Sequence, residues 1–312
     1  WAAGTLHSVI FSSLHTDASI TLMEKYAKAG LSAYVGKVNM DRNSVEELSE
    51  TTEASMRETE RFLEAAKDYA DRDVLPILTP RFSPSCTNEL MRWLGDKVLE
   101  LDLPIQSHVN ENLGEVAWVK ELFPESKHYL ATYDDYDLLP QSRAIMAHSI
   151  HNTAPEMEMF KDKDVLIAHC PDSNSNLASG IMPAGEMLDK GIRVGLGSDI
   201  GGGNRLFIGY AIESAMKVSR LLWALSEHAH RVITFAEAFH MATAGGGSFF
   251  GKTGLFMPGY SFDALVIDDR RFTKYRPLSV FERLQKFVFC GDDRNIVTRY
   301  RKGQVLPKPE WN

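Results

Sequence analysis

The chain has 312 residues, 44% of them hydrophobic, and a formal net charge of −8. That length can bury one large core, or a core with a small accessory domain. The 34 Lys and Arg lie scattered among 42 Asp and Glu, which excludes the basic stripe of a nucleic-acid binder. No stretch approaches the roughly 18 consecutive apolar residues of a membrane span. The opening residues, WAAGTLHSVIFSSLH, place no basic region ahead of their apolar part, so they do not read as a secretory signal. Three isolated cysteines, Cys86, Cys170 and Cys290, form neither a disulfide framework nor a CxxC clip and suit a reducing, cytoplasmic compartment.

In chain order, short β-rich apolar runs fall at 5–15, 32–40, 74–80, 103–109, 143–149, 165–170 and 192–199. Helical patterns separate or follow them at 18–30, 44–72, 87–101, 113–123, 154–163, 181–191, 205–225 and 234–247. Alternation with short connections predicts parallel βα units, and the near-continuous apolar character of the runs predicts strands covered on both faces. Seven strands leave two architectures open, a closed barrel that wants eight and a doubly wound sheet that can stop at seven. After residue 250 the texture changes. GLFMPGYSFDALVIDD and NIVTRYRKGQVL carry turn residues around short alternating strands, with no helix of comparable length expected between them. This divides the chain into a barrel-like domain, 1–250, and a small β-domain segment, 251–312.

The ends of five successive runs carry Arg81, His108, His148, His169 and Asp199. In a parallel barrel the catalytic groups come from the C-terminal strand ends, where the βα loops meet. His and Asp are ligand types that a borderline divalent ion accepts. His108 alone, in SHVNEN, could be a strand end in a polar turn; convergence with the other strand ends favours a metal ligand with Glu111 as a proton carrier beside it. GLGSDIGGG, 195–203, lacks the pattern of a phosphate loop. It fits better as a carboxylate, Asp199, with glycines leaving room around it, placed to bind a metal and to act as base for a water whose pKa the metal lowers. In HCPDSNSNLASG, His169 and Asn174 shape the site rather than ligate. Arg81 offers a fork of hydrogen-bond donors and Phe82 a flat apolar wall, a pair suited to a planar heteroaromatic ring with an exocyclic oxygen. The HxH of EHAHR, His228 and His230, sits among helix formers, where residues two apart diverge; it reads as a solvated helix end. In HSIH, only His148 closes its strand.

Taken together, VGKVNMDRN, ETTEASMRETERF, LTPRFSPSCT, QSHVNEN, MAHS, HCPDSNSNLASG, GLGSDIGGG and FCGDDRNI resemble the guanine-deaminating members of the amidohydrolase superfamily, in order and over nearly the whole chain. The resemblance implies an α/β fold, a metal-dependent (β/α)8 TIM-type barrel with a small β-sandwich built from both chain ends. It implies hydrolysis of guanine to xanthine and ammonia with zinc, or iron, in a homodimer. It places His108, His148 and Asp199 at metal-binding positions, Glu111 at the proton shuttle, and Arg81 and Phe82 at substrate contacts, with His108, Glu111 and Asp199 also facing the substrate. The other base-deaminase pattern, HxE with PCxxC, is absent. Two further ligands of such barrels come from an HxH on the first strand. No run here corresponds to it, so the chain is expected to lack that strand, and an inactive form stands as an alternative reading. A related hydrolase of a triazine or pterin ring amine is a second alternative.

Overall fold

The computed structural model describes residues 1–272 and 275–310; the expected 251–312 segment thus runs past the described residues at its end. Two compact units are present. One comprises His7–Ala168 with Lys190–Arg193, the other Trp1–Leu6, His169–Asp189 and the chain from Val194 onward.

The strands of the first unit are β1 (His7–Phe11), β2 (Ser32–Gly36), β3 (Val38–Asn39), β4 (Val74–Pro76), β5 (Thr79–Pro80), β6 (Ile105–Val109), β7 (Ala144–His148) and β8 (Leu166–His169), the last of which hands over to the second unit at His169. Every pairing is parallel: β1 with β2, β2 with β4, β3 with β5, β6 with β7 and β7 with β8. A parallel bridge from Leu78 to Ile105 carries the order on to β6. Neighbours therefore follow the chain without reversal. A doubly wound sheet requires a reversal at its switch point, so that alternative falls, and the order is that of a barrel wall.

Curvature is visible in one hydrogen bond. The side-chain amide of Gln106 on β6 donates to the carbonyl of Ile10 on β1, at 2.8 Å, and to the Thr79 hydroxyl, at 2.9 Å. Three strand spacings in a flat sheet would separate β1 from β6 by about 14 Å, beyond the reach of a glutamine. The sheet curls around this buried amide.

Two of the expected strands are each interrupted once, at Lys37 and at Ile77–Leu78. Lys37 is buried, and its ammonium donates to both oxygens of Glu50, at 2.6 and 2.8 Å. Burial lowers the Lys37 pKa, and the hydrogen bond to Glu50 opposes that shift. A charge so enclosed is tolerated because its partner is enclosed with it. The expected long helix at 44–72 is instead three pieces: a 3-10 turn, Glu46–Leu48, the helix Thr52–Ala66, with the Thr51 hydroxyl accepting from the Ala54 amide as cap, and a 3-10 stretch, Lys67–Arg72. Met23 of the helix Thr16–Ala29 packs with Phe62 and Ala66 against Ala33, Val35 and Val74 of the strands.

In the second unit, β9 (Arg193–Leu196) continues from its first residue in the other unit, and the helices Ile208–Leu225 and Phe235–His240 follow. An antiparallel meander of β10 (Ala264–Ile267), β11 (Ile296–Arg301) and β12 (Gln304–Val305) closes it. The start of the chain packs here too, with the Arg299 guanidinium 4.0 Å above the Trp1 ring and donating to the carbonyls of Trp1 and Ala2. One expectation fails. The tail does hold a helix of comparable length, Val280–Cys290, between β10 and β11, started by a capping box of Ser279 and Glu282. Its signal was present in SVFE, a Ser with a Glu three residues on, and in apolar residues at 280, 281, 284, 287 and 288, one face of a helix.

Gly36 lies inside the curled sheet, where a Cβ would come within 1.8 Å of the Thr79 hydroxyl and 2.6 Å of the Gln106 amide. Gly36→Ala is expected to cost about 1–3 kcal/mol through overpacking, read as a lower melting temperature. An unchanged melt would contradict the close-packed interior.

Candidate active site

His108 closes β6 and His148 closes β7, with Val109 paired to His148 in the parallel register. Their imidazole rings stack at 5.2 Å between centroids, 21° apart, and Phe11 at the end of β1 packs on the other ring contact of His108 at 4.5 Å. The carbonyl of Arg81 accepts from His108 twice, from the backbone N–H at 3.3 Å and from Nδ1 at 2.6 Å. A carbonyl can only accept, so Nδ1 carries the proton and the lone pair of the neutral ring sits on Nε2. This is the tautomer a metal-ligating histidine needs, oriented by a backbone partner.

Glu111 follows in the loop, its Oε2 3.7 Å from Nε2 of His148. Asn110, just before it, takes a left-handed φ of 52° and is anchored by Glu156, whose Oε1 accepts from the Asn110 amide at 2.9 Å. Glu156 is 1% exposed and also accepts from the backbone of Leu130 and Thr153. His148 itself holds φ at 69° and Ser149 at 48°. For residues other than Gly, Asn or Asp this is strained backbone, retained where the surroundings over-determine it. Asp199, in the second unit, shares the feature with φ at 44°.

The Arg81 side chain is exposed, with its guanidinium 5.3 Å above the half-buried Phe82 ring. Trp118, on the helix Leu113–Leu122, meets Phe82 edge-on at 6.0 Å. The same helix carries Glu115, whose carboxyl is pushed above its ordinary range by burial, with the Glu111 charge adding to the effect. Sequence reasoning passed over Phe11, Trp118, Glu115 and Glu156. Trp118 and Glu115 were legible only as ordinary members of a helical pattern.

In the second unit, the amide of Gly197 donates to the His169 carbonyl at 2.9 Å, and His169 and Asn174 are buried. The helix Pro171–Asn176 follows His169 after the single residue Cys170. The HxH at His228 and His230 is not on a helix. The helix ends at Leu225, His228 turns with φ at 70° and stacks on Trp223 at 3.8 Å, and His230 lies 3.6 Å from Glu186. The two rings serve different neighbours, so the pair makes no site, for a reason other than helical divergence.

Residues 7–306 match the amidohydrolase family. The chain is 40% identical to a guanine deaminase of Rattus norvegicus and 38% identical to one of Dictyostelium discoideum, in each case over 97% of this chain and 69% or 68% of the relative. A solved guanine deaminase from C. acetobutylicum, with guanine bound in its active site, superposes with a TM-score of 0.93 at 44% identity, over 98% of this chain and 72% of that one. The chain belongs to the amidohydrolase family, and within it to the guanine deaminases.

An amidohydrolase needs a metal, and the donors can be weighed on their own chemistry. Among the described residues no three of His, Cys, Asp and Glu stand close enough to hold an ion unaided. The first unit supplies two imidazoles side by side, one with its Nε2 lone pair assured by the Arg81 carbonyl. That fits two nitrogen donors of a larger set for a borderline divalent cation.

Around Asp199 the glycines do leave room. A Cβ on Gly202 would fall 2.4 Å from the Ser173 hydroxyl and 2.9 Å from Oδ2 of Asp199. Gly202→Ala is therefore expected to displace the Asp199 carboxylate and lower kcat at least about tenfold, the equivalent of about 1.4 kcal/mol, with the fold retained by circular dichroism. Full activity in that variant would show that the carboxylate position does not matter.

Proposed function

We propose that this chain hydrolyses guanine to xanthine and ammonia. One observation carries the reading. Arg81, Phe82, His108 and Glu111, a donor fork, an aromatic face, an imidazole and a carboxylate, stand on two neighbouring strand ends joined by the Arg81–His108 hydrogen bonds. That set matches the demands of a flat purine with an exocyclic oxygen, and the resemblance to guanine deaminases points the same way.

In this reading, which follows the family resemblance, His108, His148 and Asp199 would be among the ligands of one divalent ion, zinc, with further donors completing the set. When bound, the ion lowers the pKa of water toward neutrality, so that a nucleophile is available at pH 7. Arg81 donates its fork to the guanine oxygen, and Phe82, braced by Trp118, covers one face of the ring. Asp199 takes the proton of the attacking water. Glu111 protonates the ring nitrogen beside the carbon that bears the amino group, which makes that carbon electrophilic. The amino group then takes the proton held by Asp199 and leaves as ammonia, while the hydroxyl on the same carbon gives its proton back to Glu111 as the carbonyl of xanthine forms. Because Glu111 lies 3.7 Å from His148, it can move a proton within the site without leaving the strand-end loop.

A homodimer is the assembly we assign, as the commonest symmetric state of such enzymes. A cytoplasmic setting is assigned from the cysteines, none of which is in a disulfide. Among the described residues no helix is long and apolar enough to cross a membrane.

The first test is spectrophotometric: purified protein supplied with zinc should convert guanine to xanthine. Folded protein that leaves guanine intact would reject the reading. Glu111→Gln keeps the shape and removes the proton, so it is expected to retain metal while kcat falls by about 10²–10⁴, the usual worth of general acid–base catalysis. Metal loss in that variant would reassign Glu111 as a ligand.

A further inference from the structure

Tyr133, on the short helix Ala131–Asp134, is wholly buried. Its hydroxyl donates to the His108 carbonyl at 2.6 Å and accepts from the Ser83 backbone N–H at 3.1 Å. It also accepts from the Ser107 hydroxyl at 2.9 Å, whose one proton is shared with the Pro80 carbonyl at 2.7 Å.

These partners belong to two elements only. Ser83 follows Arg81 and Phe82 directly, while Ser107 and His108 close β6. Beyond the backbone bond from His108 to the Arg81 carbonyl, the Ser83 N–H and the His108 carbonyl meet this side chain, and a buried N–H or carbonyl without a partner is costly. One phenolic oxygen supplies both. The neighbouring Thr132 hydroxyl pairs with that of Ser83 and donates to the Tyr129 carbonyl, and the Tyr129 ring stacks on Tyr133 at 6.2 Å. The oxygen is thereby fixed from behind.

We propose that Tyr133 is a positioning residue that sets the spacing between the substrate arm, Arg81–Phe82, and His108. This rests on the reading of Arg81 and Phe82 as substrate contacts. The residue touches no substrate; it acts through Ser83 and the His108 carbonyl. Its chemistry is distinct from a general contribution to stability because it joins one arm to one strand end.

The test is Tyr133→Phe, which removes one oxygen and keeps the ring. Amide exchange in the segment 79–88 is expected to accelerate about tenfold or more as the Ser83 N–H loses its acceptor. KM for guanine should rise by a similar factor, while kcat stays within about threefold and metal content is unchanged. Ser107→Ala is the control: it leaves the Tyr133 bonds to Ser83 and His108 in place while removing the Ser107 bonds to Tyr133 and to the Pro80 and Arg81 carbonyls. Should the phenylalanine variant not fold, protection of the Ser83 N–H retained in Ser107→Ala supports the tether through Tyr133, and its loss overturns it. Unchanged exchange in 79–88 overturns the proposal whatever the activity. Faster exchange with unaltered KM, or a fall in kcat alone, overturns the link to the substrate arm. A wild type that protects this segment yet ignores guanine would instead reject the guanine reading, with the exchange result still deciding whether the tether exists.

Discussion

Much of the site depends on one backbone carbonyl. The oxygen of Arg81 accepts from both the amide and the imidazole of His108, so a single peptide group fixes a strand end, a ring orientation and a tautomer. Without it, His108 could present either nitrogen, and the arm carrying Arg81 and Phe82 could drift from the strand it serves. The distance of 2.6 Å from Nδ1 is short for a nitrogen donor, and the same ring contacts Phe11 and stacks on His148. The buried Tyr133 hydroxyl reinforces the same junction from below.

Around that junction the chain spends stability for geometry. His148 and Ser149 hold left-handed backbone where β7 ends, a conformation that costs of order 1–3 kcal/mol for an ordinary residue. Neighbouring bonds absorb the strain: the Ser149 amide reaches the Val109 carbonyl, and the amides of Ile150 and His151 both reach the Asn110 carbonyl. Buried Glu156 serves as a hub for the β6–β7 loops, its two oxygens accepting from Asn110, Leu130 and Thr153. A carboxylate in that position holds several backbone donors that water cannot reach, which lets irregular loops lie against a rigid sheet without orphaned groups.

Legibility in the sequence tracked how local the cause was. The parallel strands and most helices could be read because period is local; the caps Thr87 and Asn112 fall at the starts of expected helices, whereas Thr51 caps a helix whose start was expected at 44. The strand-end residues Arg81, His108 and His148 were legible because a polar group closing an apolar run is itself a local pattern. The break at Lys37 was not, since nothing within a few residues says that its ammonium will meet Glu50 in the interior. Helix Val280–Cys290 was missed although its capping box and its apolar residues at helical spacing both stand in the sequence.

The sequence by itself determined the class, α/β with parallel strands, the residue types available at the strand ends, and the family resemblance that long-range matching of relatives supports. Tertiary structure decided the rest. Sequential strand order replaced the doubly wound alternative, and the Gln106–Ile10 bond revealed the curl. Tyr133 joined Ser83 to His108 across separations of 50 and 25 residues. The reason is physical. Helix period and strand alternation arise from neighbours a few residues apart, whereas a tautomer, a tether or a strained φ is set by groups that only folding brings within hydrogen-bond reach.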